Sequence, residues 1–238
     1  MPVRRRRRPR RILKGLLIAP LVLALVSIAL VLALRWIDPP SSSVMIQHQI
    51  AGWWQGQPPP LVHHEWVPWE RIPPVVALAV IAAEDQRFPD HKGFDLIEMR
   101  KAWAAHQAGG RLRGASTLSQ QVAKNLFLWH GRSWLRKGLE AWFTALIEYL
   151  WPKTRILEIY LNIAEFGPDT YGVGAASWRY FQRPVEALGP AEAAQLAAVL
   201  PNPQGYRVQD PSPAVKRRAT WIRTQMDRLG GVRYLERL

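Results

Sequence analysis

The sequence predicts a mainly α-helical domain held behind a single transmembrane helix. Three observations lead there. Residues Gly15 to Leu34 carry no charged side chain and are rich in Leu, Val, Ile and Ala. Further along, Leu139 to Leu150, Ile156 to Ala164 and Ala191 to Leu200 have helical lengths and apolar patterns, with few strand-like alternations. Pro152, Gly167-Pro168 and Pro201 mark the breaks between them. At 238 residues the chain can hold one domain with a real core plus an appendage.

Composition narrows the classes. Apolar residues make up 48%, which argues against disorder. The absence of cysteine excludes a disulfide framework and thiolate chemistry without naming a compartment. The net charge is +14, and Arg4 to Arg8, Arg10, Arg11 and Lys14 supply eight of those charges. The remaining body is mildly basic, which suits an anionic partner.

Residues 1–14 form a basic tail and residues 15–36 the expected anchor. Twenty helical residues span roughly 30 Å, the thickness of a bilayer's hydrocarbon core. Arg35 and Trp36 suit the interface, and Pro20 lies where a membrane helix tolerates it. The basic cluster on the N-terminal side keeps that end in the cytoplasm and exports the rest. A cleaved signal peptide would have a shorter apolar core and a small-x-small cleavage site, which is not evident before Arg35. An arginine run alone would permit nucleic-acid binding. One abutting a full-length apolar span argues for membrane topology and no nucleic acid.

Residues 37–59 read as linker and juxtamembrane segment, with breaks at Asp38 to Ser43 and at Gln57 to Pro60. Val44 to Ile50 fits a strand or a helix. Trp53, Trp54, Trp66 and Trp69 suit either the membrane interface or packing on the domain, which occupies residues 60–238. Pro73 and Pro74 then open a helix, where a missing N–H costs nothing. That helix carries Glu84, within the stretch VVALAVIAAEDQRFPDHKG from Val75 to Gly93. An apolar run ending in Glu84-Asp85 places a carboxylate where burial raises its pKa toward proton-transfer range. The bland alternative is that Glu84 ends a core helix and points into water. His91 has no second His or Cys at ligand spacing, so hydrogen bonding suits it better than a metal. Phe94, Leu96, Ile97, Met99 and Trp103, interleaved with Arg100, Lys101 and Arg111, suit either the headgroup region or an exposed segment.

Gly109, Gly110 and Gly114 around Arg111 and Arg113 make a flexible basic loop. Thr117 with Gln120 is a capping box, so a helix begins there. On it, Gln120 and Lys124 lie four apart, as do Gln121 and Asn125. This polar patch past a helix N-terminus suits an anion, or is a solvated face. Next, Arg132, Arg136 and Glu140 recur at four-residue intervals with Lys137 beside them. They form either an intrahelical ion pair or a cationic cradle for pyrophosphate with a second acid nearby.

Taken together, these segments resemble the peptidoglycan glycosyltransferase family, over about residues 60 to 205. The motifs are Glu84, Asp85, Phe88, His91 and Gly93; Gly114 through Asn125; Arg136, Lys137 and Glu140; Ile156 to Asn162 with Gly167, Tyr171, Gly172 and Gly174; and the turn Leu200 to Pro203. Five in order behind one anchor are specific. With no second domain after Leu238, the chain resembles the monofunctional transglycosylases of that family rather than the bifunctional penicillin-binding proteins.

The resemblance implies a lysozyme-like helical domain that polymerises lipid II. The sugar 4-hydroxyl of one unit attacks the anomeric carbon of another, giving a β-1,4 glycan strand and polyprenyl pyrophosphate. By motif, Glu84 is the base, and Lys124 and Arg132 contact the donor pyrophosphate. Glu140, the second acid, lies near that phosphate and holds a divalent metal, Mg or Mn, or orders the cations. Ser116, Gln120, Gln121 and Asn125 shape the donor pocket. Arg136 and Lys137 order the polar site. Implied partners are lipid II, the growing glycan strand, the bacterial inner membrane, and cell-wall synthesis or division proteins. A lysozyme-like hydrolase shares a buried Glu but has no need of Lys124 and Arg132. A membrane-tethered scaffold has no need of Glu84.

Overall fold

The computed structural model describes residues 8–54, 56, 58–110, 116–131 and 133–238, with the side chains of 8–17 and of Trp54 excepted. Most of the expected basic tail, Arg111, Arg113, Gly114, Ala115 and Arg132 therefore lie at least partly outside the description.

The chain is mainly helical. Helix α1 (Arg8–Ala33) runs through the expected anchor, and α2 (Ser43–Trp54) settles the strand-or-helix ambiguity at Val44 to Ile50. Among the described residues, no helix is long and apolar enough to cross a membrane. The side chains of the expected span are described only from Ile18. The C-terminal end of α1 is tied to the domain. The Arg155 guanidinium donates to the carbonyls of Leu34 and Ile37 and pairs with Asp38 at 2.8 Å. The Trp151 indole donates to the Val31 carbonyl at 2.7 Å.

The core is built around α3 (Pro74–Glu84), which starts with proline at its first position. Every residue from Val76 to Ala82 is buried. A helix apolar on all faces has to be enclosed on all sides. Helices α9 (Pro190–Val199) and α10 (Pro213–Arg228) pack on it, and the Tyr234 hydroxyl donates to the Gln86 carbonyl beyond its end. Helix α4 (Leu96–Gln107) buries none of its residues and leaves Leu96, Ile97, Met99 and Trp103 exposed. The second layer comprises α5 (Leu118–Phe127), α6 (Trp134–Leu150) and α7 (Lys153–Ile163).

A small sheet closes one side. Strand β1 (His63–His64) pairs parallel with β3 (Thr170–Tyr171), which pairs antiparallel with β2 (Glu165–Gly167). The His63-His64 pair thus forms an edge strand, and the His64 ring reaches the Asn162 carbonyl at 3.1 Å. Helix α8 (Val173–Phe181) follows β3. Its N-cap Gly172 has φ +81, and a Cβ there would meet the Asn162 carbonyl oxygen at 2.6 Å. Only glycine fits that turn. Trp66 and Trp69 pack on the core, while Trp53 stays exposed. Asn162 and Glu158 brace the Trp66–Trp69 stretch. The Asn162 side chain pairs with both backbone groups of Val67, and Glu158 accepts from the Trp69 N–H and from Arg155. Both residues are architectural.

Candidate active site

Glu84 is the last residue of α3, so the apolar helix delivers its carboxylate to the edge of the core. The side chain retains 14% exposure. Two donors meet it: the Gln121 amide at 3.1 Å and the Arg218 guanidinium at 3.2 Å. Burial raises its pKa above the ordinary glutamate value. Gln121 and Arg218 oppose that rise, and Asp85 adds to it. A helix C-terminus also disfavours negative charge.

Asp85 has a different task. Its carboxylate accepts from the Leu118 backbone N–H and from the His91 ring, each at 3.0 Å. The Thr117 hydroxyl donates to the Gly93 carbonyl at 2.6 Å. Gly93 has φ +85, and a Cβ there would meet Thr144 at 2.7 Å. Asp85, His91 and Gly93 therefore lock the segment after Glu84 to the start of α5. His91 serves as a hydrogen-bond partner.

Helix α5 begins with the expected capping box, in which Thr117 accepts from the Gln120 N–H and Gln120 accepts from the Thr117 N–H. Leu118, Val122 and Leu126 face the core. The polar face divides. The Gln120 side chain is buried and engaged at the cap, whereas Gln121, Lys124 and Asn125 line a cleft of about 380 Å³. Ser116 is exposed and is not among the cleft-lining residues. Gln121 bridges inward, donating to Glu84 and accepting from the Tyr160 hydroxyl at 3.2 Å.

Glu140 is buried on α6 between two cations, with Arg136 at 3.3 Å and Lys137 at 2.5 Å. Arg136 lines the cleft, and Lys137 remains half exposed. Burial holds the Lys124 ammonium below its ordinary pKa, although solvent reaches the side chain. Glu140 and Glu84 pull it back up, and Arg136 and Lys137 push it further down. Lys124 thus lies in the field of both acids and both neighbouring cations.

Two features were not foreseen from the sequence. Arg218 reaches Glu84 from α10, outside every motif segment, with no local signal in the sequence. Glu148 accepts from the Ser119 hydroxyl and from Lys153, which also donates to the His91 carbonyl at 2.7 Å. This second ion-pair network braces α5 from behind.

The Transglycosylase family model matches residues 57–227. The chain belongs to the transglycosylase family. A biosynthetic peptidoglycan transglycosylase of Xanthomonas campestris pv. campestris is 52% identical over 230 residues, covering 97% of this chain and 94% of the relative. The protein of that description from Pseudomonas aeruginosa is 54% identical over 212 residues, covering 89% and 91%. The one from Xylella fastidiosa is 53% identical over 223 residues, covering 94% and 92%. The family match contains Glu84, Gln121, Lys124 and Glu140, and also Arg218.

Proposed function

We infer that this chain is a biosynthetic peptidoglycan transglycosylase that polymerises lipid II in bacterial cell-wall synthesis. The observation that carries this reading is the juxtaposition, in a member of the transglycosylase family, of a desolvated carboxylate with a cation in the cleft. Gln121 links Glu84 to the cleft wall that holds Lys124.

The reaction is a single displacement. Glu84 takes the proton from the acceptor 4-hydroxyl as the oxygen attacks the donor's anomeric carbon. The bond from that carbon to the pyrophosphate breaks, and its electron pair leaves with the polyprenyl pyrophosphate. One displacement inverts the carbon and gives the β-1,4 linkage. Lys124 and Arg136, with Arg132 by its motif position, meet the negative charge as it develops. Forked arginine donors suit phosphate, and lysine supplies a point charge.

A divalent metal fits the described residues poorly. Both Glu140 oxygens are engaged by cations, and no cluster of three His, Cys, Asp or Glu side chains lies among the described residues. Glu140 instead orders the cations. The substrate's lipid tail requires a site at the bilayer. Residues 15–36 serve as a single-pass anchor in the inner membrane, with the domain in the periplasm. The exposed apolar residues of α4 rest at the headgroups. Other cell-wall synthesis or division proteins are the partners such an anchor would bring near.

The test is to incubate the detergent-solubilised chain with lipid II and, separately, with isolated cell walls. Glycan polymer from lipid II is expected. Breakdown of cell walls without polymer would identify a hydrolase instead.

A further inference from the structure

Helix α2 precedes the segment that the family match covers, yet it borders the cleft. Val44 lines the cleft together with Leu128, Trp129, His130 and Gly131. Three residues on, the Gln47 side chain grips that loop with both ends of its amide. Its Nε2 donates to the Leu128 carbonyl at 3.0 Å, and its Oε1 accepts from the His130 N–H at 2.7 Å. The same nitrogen is steadied by Ser43, at 2.8 Å from the hydroxyl oxygen. The next residue, His48, lies 2.6 Å from Asp169, in the turn between β2 and β3, the strands that bring Glu165 and Tyr171 to the cleft. The helix thus touches both the loop 128–131 and the β2–β3 turn.

We propose that α2 forms a wall of the substrate cleft, and that Gln47 is a positioning residue for the loop 128–131. This inference rests on the transglycosylase reading above. The loop joins α5, which carries Lys124, to α6, which carries Arg136. Its backbone groups at 128 and 130 lie outside both helices, and Gln47 supplies the partners that a neighbouring strand would give. Releasing the loop loosens the stretch of cleft wall that residues 128–131 form, while the direct packing of α5 on α6 keeps Lys124 and Arg136 in place. An anionic donor then binds less tightly in ground state and transition state alike, which raises KM and leaves kcat nearly unchanged. Upstream, Arg155 ties the end of α1 to the domain, so the wall is held from the anchor side as well.

The test uses the full chain in detergent with lipid II, comparing wild type with Gln47→Met, which keeps the bulk and removes both hydrogen bonds. Gln47→Ala, which cannot clash, is run beside it. Loss of two hydrogen bonds predicts a KM raised about tenfold. The kcat should stay within about twofold, and the His130 amide should exchange its hydrogen faster. A merely structural role would lower Tm without moving KM. An unchanged KM in folded variants overturns the inference, as does a loss confined to kcat. A wild-type chain that makes no polymer overturns the transglycosylase reading itself, and the inference with it.

Discussion

Glu84 and Glu140 are both acids at the inner edge of the core, and their surroundings differ in kind. Glu140 has a cation on each oxygen, Arg136 and Lys137, both from its own helix. Glu84 has one arginine from a distant helix and one neutral amide. Full pairing by cations makes an acid a fixed point that holds positive charge in place. Burial with only partial compensation leaves a carboxylate able to gain a proton. The difference supports the base role proposed for Glu84 and the ordering role proposed for Glu140.

Substitutions can break that contrast. Glu84→Gln keeps the shape and removes the base, so polymerisation should fall by about 10³-fold, within the range for general-base removal. Lys124→Met should cost about 10²-fold in kcat from lost stabilisation of the leaving pyrophosphate. Glu140→Gln should cost less, roughly 10- to 100-fold, by loosening Arg136 and Lys137, with the acidic limb of the pH profile unmoved. A loss in Glu140→Gln matching that of Glu84→Gln, with a shifted acidic limb, would erase the distinction. Gln121→Leu should have the smallest effect, about tenfold, since it removes one hydrogen bond from the carboxylate. Initial rates with lipid II across a pH series check all four.

Much of this was legible in the sequence because the signals are local. The apolar run into Glu84, the capping box at Thr117 and the four-residue spacing of Arg136 and Glu140 each involve neighbours on one helix. What escaped depends on distance or competition. Arg218 lies 134 residues from Glu84, and no periodicity links them. Gln120 shares a helix face with Lys124, but the cap claims its side chain. Val44 to Ile50 is a short stretch with Gln47, His48 and Gln49 at its centre that suits either regular structure, and in the fold it is helical and meets the loop at 128–131. Strands of two or three residues carry no pattern to read.

The most direct test of the central claim is the pH dependence of kcat/KM in wild type and in Arg218→Gln. Burial raises the Glu84 pKa above its ordinary 4.5, and the Arg218 charge holds the rise in check. Activity should therefore be lost as pH falls through a value above 4.5. Removing the Arg218 charge lifts the Glu84 pKa further, so the acidic limb should move to higher pH. A limb at or below the ordinary glutamate value, unmoved by Arg218→Gln, would contradict the assignment of Glu84 as the base.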